Sequence, residues 1–121
     1  MPSVDLKDLA AALPEAWSSR VLGVVGSACV KVLRMNELPV EEETHDAPEA
    51  LLVLDGILEL VVEGRPVPVR AGELFLVPAR TPHTVGSGSH GTLVIVELLG
   101  TVYGTGEPVA MAAPSSPGAR R

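Results

Sequence analysis

From Glu43 to Ser87 the chain is cut by turn residues into apolar runs too short for helices. Leu51 to Leu54 and Leu74 to Val77 are each four residues long. A helix needs roughly 10–12 residues of sustained periodicity, so runs this short favour strands. Asp55-Gly56 between two apolar runs predicts a hairpin. Gly64-Arg65-Pro66, Ala71-Gly72 and Pro78 punctuate the rest. Leu58, Leu60 and Val62 alternate with Glu59 and Glu63, the pattern of a half-buried strand. Leu51 to Leu54 and Leu74 to Val77 are apolar at every position and call for cover on both faces.

The flanks extend this pattern. Ser3 is placed to cap a short helix whose Leu6, Leu9, Ala10 and Leu13 share one face, with Pro14 ending it. That face fits a sheet or a neighbouring subunit. From Arg20 the periodicity becomes that of strands. A strand is expected over Cys29 to Met35, with Lys31 and Arg34 marking solvent-facing positions, and another over Thr92 to Leu99. Beyond Gly104 the residues are mostly Gly, Pro, Ser and Ala. The expected organisation is a helical arm over 1–19, a β-domain over 20–106 and a flexible tail over 107–121. About eight short strands with frequent turns predict an all-β sandwich or barrel.

Composition narrows the partners. At 121 residues the chain can bury one core without covalent staples. The net charge of -6 argues against nucleic acid. No apolar run approaches the ~20 residues of a membrane span, and the N-terminus has no secretory signal pattern, so a cytoplasmic location is expected. The single cysteine, Cys29, leaves no internal disulfide and reads as a small buried hydrophobe. The chain is 46% hydrophobic but only 2% aromatic, so aliphatic side chains must fill the core. So much apolar surface on a small domain predicts a covered patch, and hence a homodimer.

Two imidazoles and two carboxylates recur at spacings that strands can bring together. On a strand Glu43 and His45 would share a face. Glu49 opens one apolar run, and His83 follows another after the Ala79-Arg80-Thr81-Pro82 bend. A histidine beside acids is usually a surface or capping residue, and Glu41-Glu42-Glu43 taken alone is a solvated face. His90, in a Gly/Ser loop, reads as solvated. Glu49 is different, because a carboxylate at the head of a buried run needs a partner, either a cation or an arginine such as Arg80.

These residues resemble the two motifs of the cupin family. The first runs His-x-His, three or four residues, Glu, six residues, Gly; here it reads Glu43-x-His45-x3-Glu49-x6-Gly56. The second runs Gly, five residues, Pro-x-Gly, two residues, His, three residues, Asn; here it reads Gly72-x5-Pro78-x-Arg80-x2-His83-x3-Ser87. Glu43 stands where the first histidine is usual, Arg80 replaces a glycine and Ser87 an asparagine. The match spans about 45 of 121 residues and is similar to small single-domain cupins of the mannose-6-phosphate-isomerase-like kind. The resemblance implies a cupin jelly roll, a double-stranded β-helix barrel, with a short N-terminal helix.

It also implies a divalent transition metal held by His45, Glu49 and His83, with Glu43 as fourth ligand. Two imidazoles and a carboxylate with open positions suit non-heme Fe(II) oxygen chemistry, and a second carboxylate favours Mn or Fe, with Zn or Ni as further options. Leu51, Val53, Leu60, Leu76 and Val85 would form aliphatic pocket walls. Arg34, Arg65, Arg70 and Arg80 are few groups for a sugar phosphate, which weakens an isomerase acting on one. The leading expectation is a small metal-dependent enzyme, dioxygenase- or isomerase-type, acting on a compact, partly apolar molecule. The alternative is a non-catalytic binding or interaction module with a degenerate metal site. Fold alone does not choose between them.

Overall fold

The computed structural model describes residues 3–99 and the backbone of 102–103 and 107–108. Among the described residues one helix, α1 (Leu6–Ala11), precedes ten strands. These are β1 (Arg20–Val25), β2 (Ala28–Met35), β3 (Val40–Glu43), β4 (Glu49–Val62), β5 (Arg65–Arg70), β6 (Leu74–Val77), β7 (His83–Val85), β8 (His90–Leu98), β9 (Val102–Tyr103) and β10 (Glu107–Pro108). The first eight form one antiparallel sheet in the order β1-β2-β8-β4-β7-β3, with β5 and β6 also paired to β4. β9 and β10 pair with each other. The expected tail beyond residue 108 lies outside the described residues.

The sheet curls because its central strand bends. The expected hairpin at Asp55-Gly56 is absent: β4 runs through both residues without reversing. Its first half pairs with β6 and its second half with β5 and β7, while β8 spans the bend. The register against β8 slips between Val53 and Asp55, a bulge that turns one strand from one wall to the next. Gly56 has φ +78°, and a Cβ there would sit 1.9 Å from the His90 carbonyl oxygen. Its partner Gly91 has φ +103°, and a Cβ there would sit 2.1 Å from the Asp55 carbonyl oxygen. Close backbone crossing, rather than a tight turn, is why both positions are glycine.

Alternation along the strands separates an inner from an outer face. The inner face holds the main core, with Leu33, Leu51, Leu58, Leu60, Leu93 and Ile95 at 1% exposure or less. Each such side chain contributes about 1.5–3 kcal/mol on burial. Leu76 is not among them. Val77, not Leu76, faces inward opposite Glu49, so Leu76 points out and is 63% exposed. Phe75 packs on the core in its place.

The outer face carries a smaller cluster of Ala10, Val32 and Val94, with Leu6, Leu9 and Leu52 packed around it. The helix therefore covers sheet. Its cap is Asp5, whose side chain accepts from the Asp8 backbone N–H at 3.0 Å, rather than Ser3. Asp5 directly precedes the first helical residue and so reaches the free N–H groups. Arg34, expected in solvent, instead closes the other end. Its Nη1 donates to the carbonyls of Ala10 (2.9 Å) and Leu13 (2.9 Å).

Candidate metal centre

The four residues singled out by spacing converge at one end of the inner face. Glu43 ends β3, His45 lies just beyond it, Glu49 opens β4 and His83 opens β7. Glu43 and His83 are register partners between β3 and β7, and Glu49 faces Val77 on β6. His45, Glu49 and His83 are buried, while Glu43 is half-buried and Glu41 and Glu42 are exposed. The acidic run thus divides: two carboxylates are solvated and the third turns toward the barrel.

The contacts are short. His45 Nδ1 lies 3.0 Å from Glu49 Oε2, and His83 Nε2 lies 3.1 Å from the same oxygen. His45 Nε2 is 3.6 Å from Glu43 Oε1. The His45 ring thus stands between the two carboxylates. The rings of His45 and His83 meet edge to face, with centroids 5.4 Å apart. One donor atom each from Glu43, His45 and His83 falls within a 4.8 Å cluster, a set that could hold a metal ion.

The orientation of the His83 ring follows from its neighbours. Its Nδ1 is 2.9 Å from the Thr81 carbonyl oxygen. A carbonyl only accepts, so Nδ1 carries the proton and donates it. In the neutral ring Nε2 then presents a lone pair. That atom is buried, has no hydrogen-bond partner and faces a carboxylate oxygen. Two electron-rich atoms at this distance are complementary to a cation between them. An imidazole whose far nitrogen is fixed by a carbonyl is also the usual preparation of a metal ligand. Glu43, His45 and His83 therefore fit a divalent ion, with the Glu49 carboxylate lying against both imidazoles.

Local backbone holds the site together. The Arg80 N–H donates to the His45 carbonyl at 2.7 Å. Arg80 has φ +56°, which explains why the motif has glycine there. Arg65 and Arg70 are exposed. Val85, Leu51 and Val77 extend the inner face from the site as core residues. His90 is exposed, and its backbone carbonyl lies close to Gly56.

Two charged residues of the same interior escaped the sequence reading. Lys31, expected in solvent, is 1% exposed, and its Nζ forms an ion pair with Glu97 Oε2, also buried. Glu97 is the direct cross-strand partner of Glu49. The available signal was alternation: Lys31 shares its face with Cys29 and Leu33, and Glu97 shares its face with Leu93 and Ile95. Cys29 is buried as expected. Its thiol is held above the ordinary range, first by burial and then by the nearby Glu97 charge.

Known proteins agree with this architecture. The cupin domain family matches residues 33–99, more than half of the chain. A cupin-2 domain protein from Shewanella frigidimarina superposes with a TM-score of 0.71 at 20% identity, covering 78% of this chain and 93% of its own. A protein from Neisseria meningitidis superposes with a TM-score of 0.69 at 21% identity, covering 80% and 99%. Quercetin 2,3-dioxygenase of Bacillus subtilis is 40% identical over 58 residues, 48% of this chain; the match spans 16% of that enzyme's length. Salicylate 1,2-dioxygenase of Pseudaminobacter salicylatoxidans shares the fold over 61% of this chain and 22% of its own, with a TM-score of 0.56 at 16% identity. Motif spacing, an antiparallel barrel and the family match lead to one conclusion: the chain belongs to the cupin family.

Proposed function

We propose that this cupin is a metal-dependent enzyme of dioxygenase type that acts on a compact, partly apolar molecule. The observation that carries the reading is the buried Nε2 of His83, fixed as a lone-pair donor by Thr81 and aimed at Glu49. His45, Glu49 and His83 would hold the ion, with Glu43 as fourth ligand. A bound divalent metal supplies a Lewis acid and, for Fe or Mn, redox capacity toward oxygen. Glu43 in place of an imidazole adds a hard oxygen donor, which favours Mn or Fe over Zn or Ni.

The chain's own residues have definite tasks in this scheme. Thr81 orients the His83 ring, and the Arg80 N–H holds the loop that carries His45. Leu51, Val77 and Val85 keep the adjacent interior apolar, which excludes water and suits an apolar substrate. Two relatives are named for dioxygenase reactions on quercetin and salicylate, and both compounds serve as first probes. Protein reconstituted with Fe(II) or Mn(II) should consume oxygen with a small aromatic substrate, and His83→Ala should abolish it. Binding of such a molecule with no oxygen consumption or turnover would instead support a binding module.

We further propose a cytoplasmic homodimer. The buried free thiol of Cys29 suits a reducing compartment. The outer sheet face beyond α1 is apolar across four strands. Val30, Val96, Ala50 and Leu76 form one row by register, and Leu98, Leu74 and Leu76 are 43%, 56% and 63% exposed. A second copy is the occupant we assign to this face.

A further inference from the structure

Among the described residues, the barrel interior holds one more carboxylate than the proposed ligand set uses. Glu49 on β4 and Glu97 on β8 are directly opposite each other, with 3% and 2% of their surface exposed. Directly opposed residues place their Cβ atoms about 4.5–5.5 Å apart on the same face. Their side chains are of equal length, so the Glu97 carboxylate can reach an ion that Glu49 binds. Like charges in such a pair destabilise a sheet unless cations offset them. Lys31 provides one such charge, and its side chain is paired to Glu97 with 1% exposure on each partner.

Resting on the metal reading above, we propose that Lys31 is a positioning residue for the metal centre: by engaging Glu97 it keeps this third interior carboxylate out of the coordination sphere and leaves positions open for substrate. The charges support the assignment. Glu43, Glu49 and Glu97 carry three negative charges, Lys31 one positive charge, and a divalent ion would supply the remaining two. Each cation then has its own carboxylate set, Lys31 with Glu97 and the ion with Glu43 and Glu49. Lysine suits the task because its ammonium is a compact donor on a long flexible stem that apolar strands can bury. Loss of the ammonium would remove this cation from the Glu97 carboxylate, and a metal held by Glu49 would be a cation across the strand pair.

The test uses Co(II) as a spectroscopic probe and azide as an exogenous ligand, on the full chain. Wild type should bind one Co(II) per chain and take up azide with a change in the visible spectrum. Lys31→Met should bind Co(II) at least ten-fold more tightly, show the spectrum of a higher coordination number, and bind azide at least ten-fold more weakly. Lys31→Met/Glu97→Gln should return all three readouts to within about three-fold of wild type. Should Lys31→Met fail to fold, Lys31→Gln carries the same comparison with smaller changes in the same direction. A tighter site with an unchanged spectrum is what loss of charge alone would give, and it overturns the positioning role while leaving the metal reading intact. An unchanged affinity does the same. Absence of Co(II) binding in wild type overturns the metal reading and this role together.

Discussion

The backbone N–H of Arg80 donates to the carbonyl of His45 at 2.7 Å. This bond joins the bend before β7 to the loop before β4, so the two sequence motifs are physically tied beside the proposed ligands. It requires Arg80 at φ +56°, a conformation that costs a side-chain-bearing residue about 1–2 kcal/mol. Glycine would relieve that cost but lose more entropy on folding. Arg80→Gly should therefore raise stability by about 0.5 kcal/mol, and the β-branched Arg80→Val should lower it by about 1–2 kcal/mol. Urea unfolding of the three proteins checks the order.

Gly56 gives a harsher outcome. Its added Cβ meets the His90 carbonyl oxygen at 1.9 Å and the backbone is at φ +78°. Gly56→Ala should cost more than about 2 kcal/mol through combined strain and displacement of β8. The variant should melt well below wild type, and an unchanged melting curve would show that β4 does not cross β8 this closely.

The outer apolar face sets the association state. Leu76→Lys places a charge at the centre of the exposed row formed with Ala50 and Val96. Light scattering should show a dimer for wild type at micromolar concentration and a monomer for the variant. Leu76 lies outside the core, so the monomer should remain folded. A monomeric wild type would refute the assigned partner.

Cys29 makes stability depend on alkaline pH. Burial and the Glu97 charge raise its folded pKa above the unfolded value, which is about 8.5. Below that value both states hold the thiol proton and stability is unaffected. Above it the unfolded chain loses the proton first, so stability falls as pH rises toward the folded pKa. Cys29→Ser should flatten this decline in denaturant unfolding between pH 8 and 10. In the folded protein the thiol should resist iodoacetamide at neutral pH.

Much of this architecture was legible in the sequence, because short apolar runs and turn residues report strands directly. The candidate residues were legible for a different reason: the spacing of Glu43, His45, Glu49 and His83 follows from where strands begin and end, and the fold brings one donor atom each from Glu43, His45 and His83 within 4.8 Å. Two readings failed where a local rule met a tertiary contact. Asp55-Gly56 has hairpin chemistry, but Gly56 answers to the approach of the His90 carbonyl from another strand. Lys31 looks solvent-facing by residue type, yet its strand position places it inside, where Glu97 meets it. Neither partner is near in sequence: alternation could have placed Lys31 inside, but no local pattern names the group that meets it. Leu76 failed by parity, since Val77 claims the inward position opposite Glu49.

The central claim is the proposal that His45, Glu49 and His83, with Glu43, hold one divalent metal per chain. Elemental analysis of protein purified without an affinity tag, before and after reconstitution with Mn(II), Fe(II), Ni(II) and Zn(II), tests it most directly. The account predicts about one equivalent of a divalent transition metal in wild type and none in His83→Ala. It also predicts a lower melting temperature after chelation. Wild type that retains no metal under any of these conditions would contradict it.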